Sequence, residues 1–410
     1  MNYMDVKLQK SAIHKQSSIK ITGSKSESNR LLLLQALYPE IQIENLSNSD
    51  DSQLMQKAFE SNAEVIDIHH AGTAMRFLTA YFSIQENKEV VLTGSKRMKD
   101  RPIKILVEAL QHLGADIAYL EYEGFPPIKI KGKKFKNHKV SLKANVSSQY
   151  ISALLLIASK LENGLELTLE GEITSVPYIN MTLSLLNDIG IETSFIDNVI
   201  SVRPNVINLT PKILTVESDW SSASYFYSIV ALSDLGTEIT LSSYKEKSLQ
   251  GDSALVEIYK SFGVKTNYEG HSIRLKKESQ KVSQINFNLV ESPDVAQTIA
   301  VTSFALGISC NLTGLHTLKI KETDRLVALK TEIEKLGGQV NITDDSLKLS
   351  ASKAINENVK VTTYNDHRMA MAFAPLALKT SLMIEDANVV SKSYPDFWND
   401  LKHIGFEITK

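Results

Sequence analysis

Cations set beside hydroxyls and glycines, each just ahead of an apolar stretch, recur along this chain. In Thr22-Gly23-Ser24-Lys25-Ser26-Glu27-Ser28-Asn29-Arg30, which runs into the apolar segment 31–38, backbone N–H groups, hydroxyls and a cation would meet at the positive end of a helix dipole. That combination suits a phosphate or a carboxylate. The GxxxxGK[ST] spacing of a nucleotide P-loop is absent, and a serine-rich cap with solvated charges is the plainer alternative.

His70-Ala71-Gly72-Thr73-Ala74-Met75-Arg76 opens a second helix, and Gly94-Ser95-Lys96-Arg97-Met98-Lys99-Asp100-Arg101-Pro102 follows. Arginine there suits a planar, two-point grip on an anion; a solvated basic turn is the alternative. Ser147-Ser148-Gln149-Tyr150 and Ser175-Val176-Pro177-Tyr178 each place hydroxyls at the start of an apolar stretch. Either alone reads as a cap, but several helix N-termini aimed at one place would select anions.

The second half carries Glu217-Ser218-Asp219-Trp220-Ser221-Ser222, Ser292-Pro293-Asp294, Lys319-Ile320-Lys321-Glu322-Thr323-Asp324-Arg325, Asn365-Asp366-His367-Arg368 and Ser391-Lys392-Ser393-Tyr394-Pro395-Asp396. Lys321, Arg325, Arg368 and Lys392 read as cations at helix starts, where the dipole disfavours them unless an anion arrives. Local rule-breaking of that kind marks functional sites. Asp294 and Glu322 are the carboxylates available for proton transfer. As plain structure they would be an N-cap after Pro293 and a helix-surface partner of Arg325.

The elements that must position these residues repeat. An amphipathic helix ending in an apolar residue plus Gly, then a short β-type stretch, ends at Gly114, Gly190, Gly263, Gly337 and Gly405. Leu106, Ala109, Leu110 and Leu113, and again Leu255, Ile258, Tyr259 and Phe262, sit at i, i+3, i+4, i+7 and form one apolar stripe per helix. The glycine serves as a C-cap of positive φ, and 54–62 is a weaker copy with Asn62 in its place. The spacing exceeds that of solenoid repeats, which is roughly 20–50 residues, and predicts six small α/β units, three to a domain.

At 410 residues the chain is long enough for two domains. A hydrophobic fraction of 43%, a charged fraction of 22% and a net charge of -2 describe a globular protein without general attraction to nucleic acid or anionic membrane. The lone cysteine, Cys310, excludes an internal disulfide and a multi-cysteine zinc site, which fits a reducing cytoplasm. No secretory leader is legible at the N-terminus, and the longest apolar runs fall well short of the roughly 20 residues that span a bilayer.

Taken in order, the segments GSKSESNR, AGTAMR, RMKDRP, SSQ, SVPY, PD, KETDR, NDHRMAM and KSYPDF closely resemble the enolpyruvyl transferases, and among them the EPSP synthase family. The resemblance runs from residue 22 to 397. It implies a two-domain inside-out α/β barrel with three βαβαββ repeats per domain. Residues 23–216 form an inserted first domain, 1–22 plus 217–410 form the second, and the active site lies in the interdomain cleft.

The implied reaction transfers the enolpyruvyl group of phosphoenolpyruvate to the 5-hydroxyl of shikimate 3-phosphate by addition and elimination, with no cofactor and no metal. The implied shikimate 3-phosphate ligands are Lys25, Ser26, Arg30, Ser147, Ser148, Gln149, Ser175, Tyr178, Asp294 and Lys321. Those for phosphoenolpyruvate are Lys25, Gly72, Arg97, Gln149, Arg325, Arg368 and Lys392. Asp294, Glu322 and Lys25 are the implied acid–base groups. A cytoplasmic monomer that meets only these small molecules is implied as well.

Thr22, His70, Phe77 and Thr317 depart from the residues usual in that family. Gly72 keeps the space that glyphosate takes in sensitive members. The nearest rival is a transferase acting on UDP-N-acetylglucosamine, which needs a reactive Cys near the first-domain arginine; no Cys flanks Arg97 here. A non-catalytic anion-binding relative is the other alternative.

Overall fold

A computed structural model describes residues 4–144, 147–171, 173, 176–205, 210–280 and 284–409. The chain packs as two compact units, one of Gly23–Val216 and the other of Met1–Thr22 with Glu217–Lys410.

Within Gly23–Val216 the strands Val65–Asp67, Glu89–Thr93, Ile128–Lys131 and Asp116–Tyr119 lie side by side in that order, the first pair parallel and the others antiparallel. Lys139–Lys143, Leu165–Glu170, Val199–Val202 and Thr193–Ile196 repeat the pattern. The third sheet has only the parallel pair Lys212–Thr215 and Ile41–Glu44, so among the described residues this repeat lacks the hairpin of a full βαβαββ unit. Residues 61–64 alone separate the helix Asp50–Glu60 from the next strand, which leaves no room for one.

The other unit holds three four-stranded sheets of the same order. Gln16–Ile19 pairs in parallel with Glu238–Ser242, Ile285–Asn288 with Cys310–Thr313, and Val359–Val361 with Leu382–Ile384. In the last sheet the strands from the two ends of the chain, Val6–Leu8 and Ile408–Thr409, form the antiparallel pair.

Each repeat has two kinds of helix. The helix between the parallel strands is apolar nearly all round and is enclosed: every described residue of Gly72–Ser83 but Tyr81 is buried, as is all of Tyr150–Ala158 and all but one of Trp220–Leu232. Such helices belong inside a core. Two hydroxyls of Gly72–Ser83 turn back on their helix, Thr79 to Met75 O at 2.6 Å and Ser83 to Thr79 O at 2.6 Å, which satisfies them without water. The second helix is amphipathic; in Lys104–Leu113 only Leu106, Val107, Ala109, Leu110 and Leu113 are buried.

The five terminal glycines have positive φ, from 74° at Gly263 to 122° at Gly114. Asn62 does not share it. Its helix stops at Glu60 with Ser61 extended, and a chain that heads straight into the next strand needs no left-handed cap. The stripe Leu255–Phe262 is buried as expected, but as one α turn flanked by 3-10 turns. Among the described residues no helix is long and apolar enough to cross a membrane.

Candidate active site

In the unit Gly23–Val216, Arg30 ties three helices together, Lys25–Leu37, Ser148–Ala158 and Val176–Asp188. Its Nε donates to Thr182 Oγ1 at 2.8 Å, Nη1 to Ser26 O at 2.7 Å, and Nη2 to Ser152 Oγ at 2.8 Å. The guanidinium also lies over the rings of Phe77 and Tyr178, at 5.6 and 5.8 Å from their centroids; Phe77, one of the departures from the family pattern, supplies an aromatic face for a cation. Burial lowers the Arg30 pKa to about 10, against the pull of Tyr178 and Glu27, so it stays a cation at neutral pH.

Lys25 and Ser26, both part-exposed, begin the helix Lys25–Leu37. Gly23 just before it is obligatory, because a Cβ there would stand 1.9 Å from Asn45 O and 2.6 Å from a Val216 methyl. Gln149, at the start of Ser148–Ala158, donates to Thr73 Oγ1 at 3.2 Å, which links it to the helix that Gly72 begins. Ser147 caps Gln149 N at 3.4 Å. A Cβ on Gly72 would lie 2.3 Å from Arg101 Nη1, so Arg101 fills that space. Arg97 is exposed on the short helix Lys96–Lys99. Ser175 lies outside the described residues.

In the other unit a web of charge centres on Asp294. Arg325 Nη1 donates to Asp294 Oδ1 at 2.8 Å, Nη2 to Glu322 Oε2 at 2.7 Å and Nε to Asp366 Oδ2 at 2.7 Å. Arg368 Nη2 is 3.2 Å from Asp294 Oδ2, and Lys321 Nζ is 3.5 Å from Oδ1. Local sequence builds this: Asp324 caps the helix Arg325–Lys335 through Leu326 N and Val327 N, and Asp366 caps His367–Phe373 through Arg368 N. Each cap puts the following arginine at a helix start.

Burial alone would raise the Asp294 carboxyl, but Arg368, Lys321 and Arg325 outweigh it and hold the group well below the usual carboxylate range. Burial likewise opposes the charge on Arg325, yet Asp366, Glu322 and Asp294 drive its pKa upward. Asp252 moves the other way: burial, then the negative Asp294, push it up to about 6. Two buried carboxylates sharing one set of cations cannot both ionise easily; Asp294, with more cationic contacts, keeps its charge.

Lys392 differs from expectation. It ends the 3-10 turn Ala387–Lys392 instead of opening a helix, since Ser393–Asp396, with Pro395, intervenes before Phe397–Ile404. Its Nζ donates to Asn365 O at 2.6 Å and Oδ1 at 2.8 Å. Lys321 likewise follows a 3-10 turn, His316–Ile320. Asp366, Ser221, Asp252, Thr73, Ser152 and Thr182 join these clusters without standing among the residues the sequence assigns to the site. Asp366 had a legible signal, an acidic cap before a cation; the hydroxyls on buried helix faces had none.

The fold is that of the enolpyruvyl transferases. The structure is similar to EPSP synthase from Acinetobacter baumannii at a TM-score of 0.82, with 21% identity over 99% of this chain and 100% of that one. It is also similar to the enolpyruvyl transferase NikO from Streptomyces tendae at 0.76, with 13% identity over 99% and 98%.

Sequence likeness narrows the class. The family profile EPSP synthase (3-phosphoshikimate 1-carboxyvinyltransferase) matches residues 56–401. The 3-phosphoshikimate 1-carboxyvinyltransferase of Bacteroides fragilis (strain YCH46) is 48% identical over 96% of both chains. That of Haemophilus influenzae (strain Rd) is 34% identical over 95% of this chain and 96% of its own. The chain belongs to the EPSP synthase family.

Proposed function

We infer that both charge clusters serve one reaction, the transfer of the enolpyruvyl group of phosphoenolpyruvate to the 5-hydroxyl of shikimate 3-phosphate, with release of phosphate. Family membership supports the reaction. The observation that carries the assignment of residues is the Asp294 web, in which three cations converge on one carboxylate beside Glu322. The two substrates bring about six negative charges at neutral pH. Lys25, Arg30, Arg97, Lys321, Arg325, Arg368 and Lys392 are a comparable positive set.

In this reading Lys25, Ser26, Arg30, Ser147, Ser148, Gln149, Ser175 and Tyr178 address shikimate 3-phosphate, with Asp294 and Lys321 on its hydroxyls. Gly72, Arg97, Arg325, Arg368 and Lys392, with Lys25 and Gln149, address phosphoenolpyruvate. Arg30, enclosed and bonded to Ser26, Ser152 and Thr182, acts by fixing their helices and by its field.

In the addition step the 5-oxygen bonds to C2 of phosphoenolpyruvate, the hydroxyl proton leaves to a base, and C3 takes a proton, giving a tetrahedral ketal phosphate. In the elimination the C2–O bond to phosphate breaks and C3 returns a proton. The sum is redox-neutral.

Asp294 is the candidate base at the hydroxyl and Glu322 the acid–base group at C3, with Lys25 competing for either role. Held low by its cations, Asp294 is a weak base at rest. Arrival of phosphoenolpyruvate on Arg325 and Arg368 neutralises those cations, so the carboxylate gains basicity as the second substrate binds. The cations then stabilise the charge that develops at the tetrahedral centre.

The single buried cysteine supports a cytoplasmic setting, and the resemblance to the family supports a monomer. Turnover in D2O tests the chemistry: deuterium should enter C3 of the enolpyruvyl product, only with shikimate 3-phosphate present, and far more slowly in Glu322→Gln. Product formed without deuterium would rule out protonation at C3.

A further inference from the structure

Asp252 lies in none of the short motif segments that carry the resemblance, yet it is only 7% exposed on the 3-10 turn Gly251–Ala254. The Ser221 hydroxyl donates to Asp252 Oδ2, and Ser221 Oγ itself accepts from Arg368 Nη2 at 3.2 Å. Above the Asp252 pKa of about 6 the direction is fixed, because a guanidinium has no acceptor and an ionised carboxylate no donor. The guanidinium also meets Asp294, with Nη1 donating to its carbonyl at 3.1 Å and the same Nη2 lying 3.2 Å from Oδ2. Arg368 is thus suspended between two acids, one direct and one through a hydroxyl.

The turn that carries Asp252 is itself pinned. Gln250 Oε1 accepts from Trp220 N at 2.9 Å, and its Nε2 donates to Ser218 O at 2.9 Å. Trp220, fully buried, precedes Ser221 directly, so both ends of the Ser221–Asp252 bond rest on one rigid corner.

We propose that Ser221 and Asp252 are positioning residues that compete with Asp294 for the Arg368 guanidinium, hold it in place and thereby set the affinity for phosphoenolpyruvate. The proposal rests on the reading of Arg368 as a ligand of that substrate. With the Ser221 link cut, the guanidinium swings fully onto Asp294. Phosphoenolpyruvate must then compete with a tighter internal ion pair.

The test is steady-state kinetics of the full-length enzyme in Ser221→Ala, Asp252→Ala, Asp252→Asn, the Ser221→Ala/Asp252→Ala double variant and Arg368→Lys, with melting temperatures alongside. The two alanine variants should each raise KM for phosphoenolpyruvate about tenfold, as loss of one charge-assisted hydrogen bond would, and leave KM for shikimate 3-phosphate within about twofold. The double variant should be no worse than the poorer single one, since both act through one link. Asp252→Asn, which keeps an acceptor for the serine, should recover most of the affinity.

A merely structural role would lower the melting temperature and the active fraction without moving KM, and that result would overturn the proposal. If Arg368→Lys raises KM for phosphoenolpyruvate while Ser221→Ala does not, the positioning role falls and the reading of Arg368 stands. If Arg368→Lys leaves that KM unchanged, both fall.

Discussion

Arg325 donates to the Asp294 carboxylate at 2.8 Å, and the two residues come from helix starts thirty-one positions apart in sequence. Because Arg325 is 2% exposed and also carries Glu322 and the fully buried Asp366, it is the counter-ion for three acids at once. The carboxylate proposed as the base is therefore held by the same cation that is proposed to receive phosphoenolpyruvate.

Replacing Arg325 by Ala should destabilise the protein by about 3–5 kcal/mol, the usual effect of leaving buried charge without its partner. Arg325→Lys should recover only part of this, since an ammonium on a flexible stem cannot serve three carboxylates in fixed directions. Denaturant midpoints of the two variants measure it; an Ala variant as stable as wild type would contradict the geometry.

The Asp252 carboxyl gives a pH signature. Its pKa is raised from 3.8 to about 6, chiefly by burial and then by Asp294. The folded state therefore binds its proton more tightly than the unfolded chain, and the stability it contributes is full below the unfolded value and lost as pH rises through about 6. Asp252→Asn removes that dependence while Asp294, Arg368, Asp219 and Ser221, which face the group, stay in place. The melting temperature of the variant relative to wild type should become more favourable between pH 4 and pH 7.5. A difference that does not change with pH would show that Asp252 is not titrating in this range.

Cys310 lies in a central strand and is buried, and burial pushes its thiol up to about 11. A thiol so placed is scarcely ionised at neutral pH and sheltered from reagents. Iodoacetamide under native conditions should leave activity intact and modify the residue only after unfolding. Rapid inactivation would revive the rival transferase with an essential cysteine.

Gly72 leaves room that Arg101 takes, with Nη1 2.3 Å from where a Cβ would stand. Gly72→Ala should fold normally, because the obstructing group is the far end of a flexible side chain, but should displace Arg101 and weaken phosphoenolpyruvate. In wild type, glyphosate should inhibit competitively against phosphoenolpyruvate. Uncompetitive inhibition, or none, would contradict the proposed placing of phosphoenolpyruvate, since Arg101 and not open space stands beside Gly72 here.

Much of the architecture was legible in periodicity. The glycine that ends each amphipathic helix has the positive φ its position required, and the stripe of Lys104–Leu113 is the buried one. Asn62 misled because a left-handed cap is only one way to end a helix, and the chain there turns directly into a strand.

Arginines after acidic caps, Arg325 and Arg368, stood where the sequence put them, since capping is a local rule. Lys392 did not, because Pro395 separates it from the next helix. Asp252 and Ser221 could not be paired from sequence at all: thirty-one residues separate them, and only the packing of their repeat brings them together.

The most direct test is phosphate release by purified protein given phosphoenolpyruvate and shikimate 3-phosphate, with each omitted in turn, in wild type and in Asp294→Ala. The account predicts release that needs both substrates and falls by at least about a hundredfold in the variant, the scale of a lost acid–base group. No release with both substrates present, or an Asp294→Ala enzyme that turns over like wild type, would contradict it.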